Sequence, residues 1–327
     1  MPRHPLLLTG LAATALALRP PVATAQSADP HSSPHYHVTA RIPVGKLTDG
    51  YSADFIIIDP VHRRLYGLGN TIIDIDHDRV VDSLPGKSAG GYALATDLGS
   101  GLARNGTRFD LATAHVTGHV DGRGDASVYD PVTHRAFMLD DTVTVVDMTT
   151  GAVTTKVHIA PALESGIADG AGHLYINRED SSIVTKVDAR TLAVQARYPV
   201  ADCKAAQGLA FDAAHHRLFL GCDKELVIVN ADNGAVVSRI PVTGHADQNA
   251  FDPATQLAFN ANRPDSTLVI VHEDTPDHYS VVDTIKTGGG ARSLAVDDKT
   301  HKVYAFYYDQ PSTDRKTWTL TAVVLAP

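Results

Sequence analysis

The chain reads as an all-β, seven-bladed β-propeller with four antiparallel strands per blade, and three observations predict it. A phrase repeats about every 40 residues, each repeat has the composition of strands, and the last repeat lacks a strand that the N-terminus can supply. The phrase runs from a small-residue strand through an Asp-led turn and a strand with an aromatic to a Val/Ile-rich strand. Its turns are Asp59-Pro60, Asp97-Leu98, Asp130-Pro131, Asp169-Gly170, Asp212-Ala213, Asp252-Pro253 and Asp297-Asp298. Successive turn Asp residues lie 38, 33, 39, 43, 40 and 45 residues apart, the period of a four-stranded blade.

Runs such as RLYGLG, HLYINR, RLFLGC and KVYAFY carry the aromatic and β-branched bias of strands. Asp-Pro and Asp-Gly favour tight turns, because Pro presets φ and Asp bonds its own backbone. The first strand of each repeat is poor in bulk, as in ALAT, SVYD, GIAD, GLAF and SLAV, with FIIID the exception. Seven innermost strands crowding one axis require that. The last repeat supplies three strands, Ser293–Val296, Lys302–Tyr307 and Thr317–Leu325, and then the chain stops. Residues His35–Val44, HYHVTARIPV, resemble the outer-strand run AVVSRIPV at Ala235–Val242. Pairing them with the last blade closes the ring and removes open sheet edges. One propeller domain over residues 35–327 is expected, behind a flexible tail over 26–34.

Arg3 and His4 precede an apolar stretch, Leu6–Leu18, that ends at Ala23-Thr24-Ala25. This is the pattern of a secretory signal peptide over residues 1–25, cut after Ala25. An apolar core of roughly 13 residues is too short for a bilayer, which needs about 20. A periplasmic or secreted protein without a membrane span is expected. The formal charge is −9, and the leader takes Arg3 and Arg19 but no acid with it. Lys and Arg are scattered singly, which argues against nucleic acid as a partner.

The chain resembles the YncE-like, YVTN-repeat family of exported bacterial propellers over nearly its whole mature length. The carriers are LYINREDSSIVTKVDARTLAV (174–194), GLAFDAAHHRLFLGCDKELVIV (208–229), TLVIVHEDTPDHYSVV (267–282) and GGARSLAVDDKTHKVY (289–304). Such repeats are specific for fold and weak for activity, since propellers serve enzymes, binders and scaffolds alike. Cys203 and Cys222 flank the first two strands of the fifth repeat and fall on one face, so a disulfide is geometrically sensible there. Pairs so placed are familiar in the resembling family. Two buried thiols or a redox pair are the alternatives.

Five residues before each turn Asp, near the channel mouth, stand Asp54, Tyr92, Asp125, Glu164, Gln207, Asp247 and Arg292. Four carboxylates converging on an axis need a cation, a proton or Arg292 to offset their repulsion. A second loop on that face offers Asn70, Asn105, Asn177 and Asn262, whose amides can donate to and accept from a polar ligand. Equally, the carboxylates can cap backbone amides and the Asn residues can form turns. The family resemblance places polar motifs at NRED from Asn177, at Asp247 and at the GAR ending in Arg292. Gly91-Tyr92 and Asn260-Ala261-Asn262-Arg263 depart from the family pattern of His-Gly and Ser-Asn-Gly.

Histidines His62, His134, His173, His215, His216 and His301 follow the turn Asp on the opposite face, where polar turn residues are expected. His119 and His245 share a GHxD phrase with Asp121 and Asp247 but sit at different offsets. The HSSPHYH segment, with His31, His35 and His37, has the spacing of a metal-capturing arm or of a linker. No Ser-His-Asp set, phosphate-binding Gly loop or haem motif can be placed, so no catalytic residue is assigned.

Three functions stay open. The first is an exported, monomeric binding protein whose polar, acidic axial pocket takes a small polar ligand, a cation or a protein partner. The second is a lactonase-like hydrolase or lyase in which a divalent cation on Asp54, Glu164 and Asp247 polarises a carbonyl while Arg292 steadies the anion. The third is a structural envelope module without ligand.

Overall fold

In a computed structural model the described residues are 35–46, 55–86, 90–244, 246–262, 265–288, 291–309, 313–314 and 317–327. The expected signal peptide and tail, Asp54, His245, Arg263 and the side chain of Arg292 lie outside them. The described residues form seven four-stranded antiparallel sheets. Six are consecutive meanders, over residues 57–83, 92–119, 126–157, 163–199, 209–241 and 246–286. The seventh takes Ala291–Val296, Val303–Asp309 and Thr319–Ala326 from the C-terminus and its outer strand, His37–Lys46, from the N-terminus. The register runs from His37 opposite Ala326 to Lys46 opposite Thr319, which is the predicted ring closure. Pro43 sits at a register shift in that outer strand, and Pro199 and Pro241 end the outer strands of blades 4 and 5. Proline cannot donate to a ladder, so the outermost strand is where it is tolerated.

Each sheet packs on a neighbour through both faces, so the apolar core is divided among the seams rather than gathered on the axis. Among the described residues seven apolar clusters occur, one per seam. Phe137 and Val145 of blade 3 meet Leu174, Ile176 and Val187 of blade 4, for example. Third strands such as Val143–Asp147 are therefore buried without alternation, whereas the outer strand Arg79–Ser83 is exposed throughout.

The second-strand aromatic predicted from the repeat is Tyr66, Phe137, Tyr175, Phe219, Phe259 or Tyr304 in six blades, all essentially buried. The hydroxyls of Tyr66, Tyr175 and Tyr304 donate to carbonyls of the next blade, Leu111, Ala231 and Ile75, at 3.3, 3.1 and 2.9 Å. In each of these six blades the turn Asp lies two residues beyond the aromatic's inner-strand partner. Blade 2 differs. Leu102 takes the aromatic's place opposite Ala93, so the position equivalent to the turn Asp is Ala95, and Asp97 lies two residues further on. Backbone conformation agrees: Arg63, His134, His216, Gln256 and His301, each four residues past its Asp, have φ of 53–59°, and in blade 2 Gly99, four past Ala95, has 63°.

The turn carboxylates accept backbone N–H groups two or three residues ahead, as Asp59 does from Val61 at 2.9 Å and Asp212 from Ala214 at 2.9 Å. The histidines of this face have local reasons too. His62, His173 and His215 place Nδ1 2.7–2.8 Å from the turn Asp, and His134, His216 and His301 fill the left-handed position, which His tolerates better than most residues.

Candidate functional site

The position five before the turn Asp coincides with a β-bulge in three blades. Register shifts lie between Leu163 and Gly166, spanning Glu164, between Ala246 and Asn249, spanning Asp247, and between Ala291 and Ser293, spanning Arg292. A bulge adds a residue to one strand and re-aims its side chain, which is how these inner strands end at the channel mouth. Blade 2 requires a correction. Because its turn is offset, the residue five before the equivalent of the turn Asp is Gly90, while Tyr92 opens the inner strand, is buried, donates its hydroxyl to the Gly67 carbonyl at 3.1 Å, and lines the axial channel as blade 2's part of the wall.

The remaining candidates disperse. Asp247 is 3 % exposed, Glu164 is half-buried, and Gln207 donates through Nε2 to Glu179 at 2.9 Å. Asp125 is exposed and 3.8 Å from Arg104. Asp125 and Asn105 do come together, in a charged surface cleft of about 330 Å³ lined also by Arg104, Arg123 and Asp140. Asn105 accepts the Thr107 N–H at 3.0 Å, the role of a turn former. Asn177 is fully buried: its Oδ1 accepts from Ser165 N and Oγ, and its Nδ2 donates to the carbonyls of Ala206 and Gln207. Its amide thus clasps blade 4 to blade 5. Asn262 is also buried and donates to the Asn260 carbonyl at 3.2 Å, while Asn260 donates to Asn249 at 2.7 Å.

What the ring surrounds is an axial channel of about 350 Å³ to which all seven inner strands contribute. Its lining departs from the acidic pocket expected from the sequence: no carboxylate of the described residues belongs to it, and Ile, Leu, Phe and Ala dominate. The reason is positional, because Asp125, Glu164 and Asp247 sit at or beyond the strand ends while the strands themselves form the wall. Ser127, Ser165, Gln248 and Asn249 supply the polar groups. Ser127 Oγ is buried without a hydrogen-bond partner among the described residues. At the bulged end the channel is strapped. Gln248 clamps Ile56 across the inner end of blade 7, accepting its N–H at 3.1 Å and donating to its carbonyl at 2.9 Å. Phe55, with φ of 60°, reaches over the channel to pack against the blade 3–4 cluster.

The other end, at the Asp turns, is wider in apolar character. Ile58, Phe211, Phe251 and Val296 line it and are half-buried. Phe251 stacks on Phe219 at 4.9 Å and Phe211 on Tyr175 at 5.8 Å, so the rims are held by the second-strand aromatics. Tyr129 stands at the same level, donating to Asp97 at 2.8 Å, and burial followed by that carboxylate pushes its phenol above the usual range. The sequence reading passed over this end. The available signal was that the residue before the turn Asp is bulky in five repeats, Ile58, Tyr129, Phe211, Phe251 and Val296, in strands otherwise rich in small residues.

Cys203 and Cys222 form the disulfide foreseen from their placement, with Cα atoms 5.3 Å apart. Among the described residues no helix is long and apolar enough to cross a membrane.

No protein-family model and no curated protein matches the chain. Solved structures do. The β-propeller domain of Cps50 (Swd1) from Myceliophteria thermophila is similar with a TM-score of 0.65 and 13% identity, over 90% of this chain and 100% of that one. The WD40 repeats of RRP9 give a TM-score of 0.70 at 10% identity, over 86% of this chain and 96% of that one. U3-55K gives 0.69 at 8% identity, over 85% and 97%. At such identities the likeness is one of fold: a seven-bladed propeller.

Proposed function

We propose that this chain is an exported binding propeller of the YVTN-repeat kind that receives the apolar part of an amphipathic ligand or peptide in its axial channel from the turn end. The observation that carries the reading is the channel itself: about 350 Å³, apolar along its wall, with a few polar groups to orient an occupant. Export is supported by the leader-like pattern of residues 1–25 and by the Cys203–Cys222 disulfide, which belongs in an oxidising compartment. Propellers in general offer rigid faces to partners, and the similarity to WD40 domains supports an interaction role.

The test is a channel-filling substitution. Ser127→Phe sends a ring into the wall position whose hydroxyl has no partner among the described residues. An anilinonaphthalene sulfonate dye, apolar with one polar head, should bind the parent protein one to one and the variant at least tenfold more weakly, with the melting temperature of the variant kept. Dye binding that is absent from the parent, or equal in both, would sink the proposal.

A further inference from the structure

Outside the channel, the seam between blades 5 and 6 holds a carboxylate in a place where the repeat requires none. The residue that follows the third strand's pairing with the second donates its N–H back across the turn; it is Ile75, Leu111, Met148, Ala189 or Ala231 in five blades, all buried. In blade 6 it is Glu273, whose N–H donates to the Gln256 carbonyl at 2.9 Å in the same way. Glu273 is 1 % exposed, and neither of its carboxylate oxygens has a hydrogen-bond partner among the described residues.

The side chain is aimed at the blade 5 turn. His215 Nδ1 lies 3.1 Å from Glu273 Oε1, and 2.8 Å from Asp212 Oδ2, which takes its hydrogen bond. One ring N–H cannot satisfy two carboxylates, and Asp212 is itself 2 % exposed. Arg217, the nearby cation, is engaged by the carbonyls of Pro276 and His215 and by Asp277. Burial, and then Asp212, push the Glu273 carboxyl above the usual carboxylate range. Two buried carboxylates facing one imidazole call for a further positive charge.

We propose that Asp212, His215 and Glu273 hold a divalent transition-metal ion, zinc foremost, clipping blade 5 to blade 6. One oxygen from each carboxylate and His215 Nδ1 lie within 4.8 Å of one another. Ligands on a tetrahedral ion with bonds of about 2.0–2.1 Å stand about 3.3 Å apart, close to the two contacts of His215. The donor set of one imidazole and two carboxylates suits zinc or manganese, and is too small for calcium, which takes 6–8 oxygens. The ring binds as the neutral tautomer with its proton on Nε2. Its side chain is 34 % exposed, which gives the ion a route in and leaves a coordination position for water. The Asp-x-x-His pair of blade 1, Asp59 and His62, has the same turn, but its third-strand counterpart is Ile75 of its own blade or Leu111 of the next, so it stands as an internal control.

The experiment takes the mature chain, stripped with a chelator, and titrates Zn²⁺ alone by calorimetry, with melting curves in parallel. A saturable site should appear that raises the melting temperature. Glu273→Leu, which restores the residue type of the other blades, should fold, melt higher than the parent in metal-free buffer, and lose that site with its zinc-dependent gain. His215→Ala should weaken binding at least tenfold. Residual zinc binding to other histidines is common to all three proteins and cancels in the comparison. A parent whose melting temperature ignores Zn²⁺ and Mn²⁺, or a Glu273→Leu variant that binds as the parent does, would overturn the assignment.

Discussion

The seam between the first and last blades is where a ring assembled from both ends of the chain is most exposed to failure, and Arg63→Ala tests what secures it. Arg63 donates from its two terminal nitrogens to Asp297 at 2.6 and 2.7 Å, and from Nε to Asp76 at 2.9 Å. Asp297 has no exposure and retains, among the described residues, the Thr300 hydroxyl and the Lys299 N–H, at 3.4 Å, once the guanidinium is gone. Removing one partner of a buried pair costs about 3–5 kcal/mol, chiefly because the other charge stays buried. The two surviving donors place this case at the low end, about 3 kcal/mol. For a domain of this size that lowers the melting temperature by roughly 6 °C. Urea unfolding read by circular dichroism measures the loss, and the double variant Arg63→Ala with Asp297→Asn supplies the control. With the charge removed, the double variant should be more stable than Arg63→Ala alone. A loss under about 1 kcal/mol, or a double variant carrying both costs in full, would refute the reasoning.

Three other outcomes follow from the packing and the turns. In blade 2 a Cβ on Gly101 would lie 2.2 Å from Phe109 Cζ, so Gly101→Ala should cost about 1–3 kcal/mol in denaturant unfolding, and an unchanged midpoint would mean the ring moves freely. Replacing Cys203 and Cys222 together by Ser should cost roughly 3 kcal/mol, the loop-closure value for a separation of 19 residues, and reductant should then no longer alter the melting temperature. Acid should unfold the protein through its turn carboxylates. The Thr113 hydroxyl and N–H hold Asp110 below the usual range, and the N–H groups of Thr150 and Thr149 do so for Asp147. Burial alone would raise Asp297, but the bonds from Arg63 and Thr300 and the charge of Arg63 outweigh it. A depressed folded pKa contributes stability that is complete above the unfolded value of about 3.9 and is lost as pH falls through the folded one. Stability should therefore be level in this respect above about pH 5 and fall below about pH 4, and a decline already finished at pH 5 would exclude these groups as its cause.

The local rules were legible in the chain. An Asp that bonds its own turn, a small inner strand and an aromatic second strand act within a few residues, so their recurrence announces seven blades without any knowledge of what touches what. The closing strand was legible for a related reason: HYHVTARIPV carries the outer-strand pattern wherever it stands, and its pairing with Thr319–Ala326 only required an edge to fill. Cys203 and Cys222 could be paired because one blade's hairpin returns the chain to the side it left.

Spacing failed where a repeat bends its own rule. Asp97 looks like the other turn residues, but Leu102 pairs with Ala93, which shifts the equivalent position to Ala95 and makes Gly90, not Tyr92, the counterpart of the other mouth residues, while Tyr92 lines the channel wall itself. Asn177 carries the right chemistry for a ligand, yet its partners on blade 5 are some 30 residues away in sequence and consume its amide. Glu273 reads as one more acid after a strand. Only the packing of blade 6 on blade 5 encloses it beside Asp212 and His215, because burial and the distance between two side chains on different blades are properties of the assembled ring. Turns, strand types and blade number were thus set by short-range chemistry in the sequence, whereas the apolar channel and the buried carboxylate at the seam arise from contacts that exist once the wheel has closed.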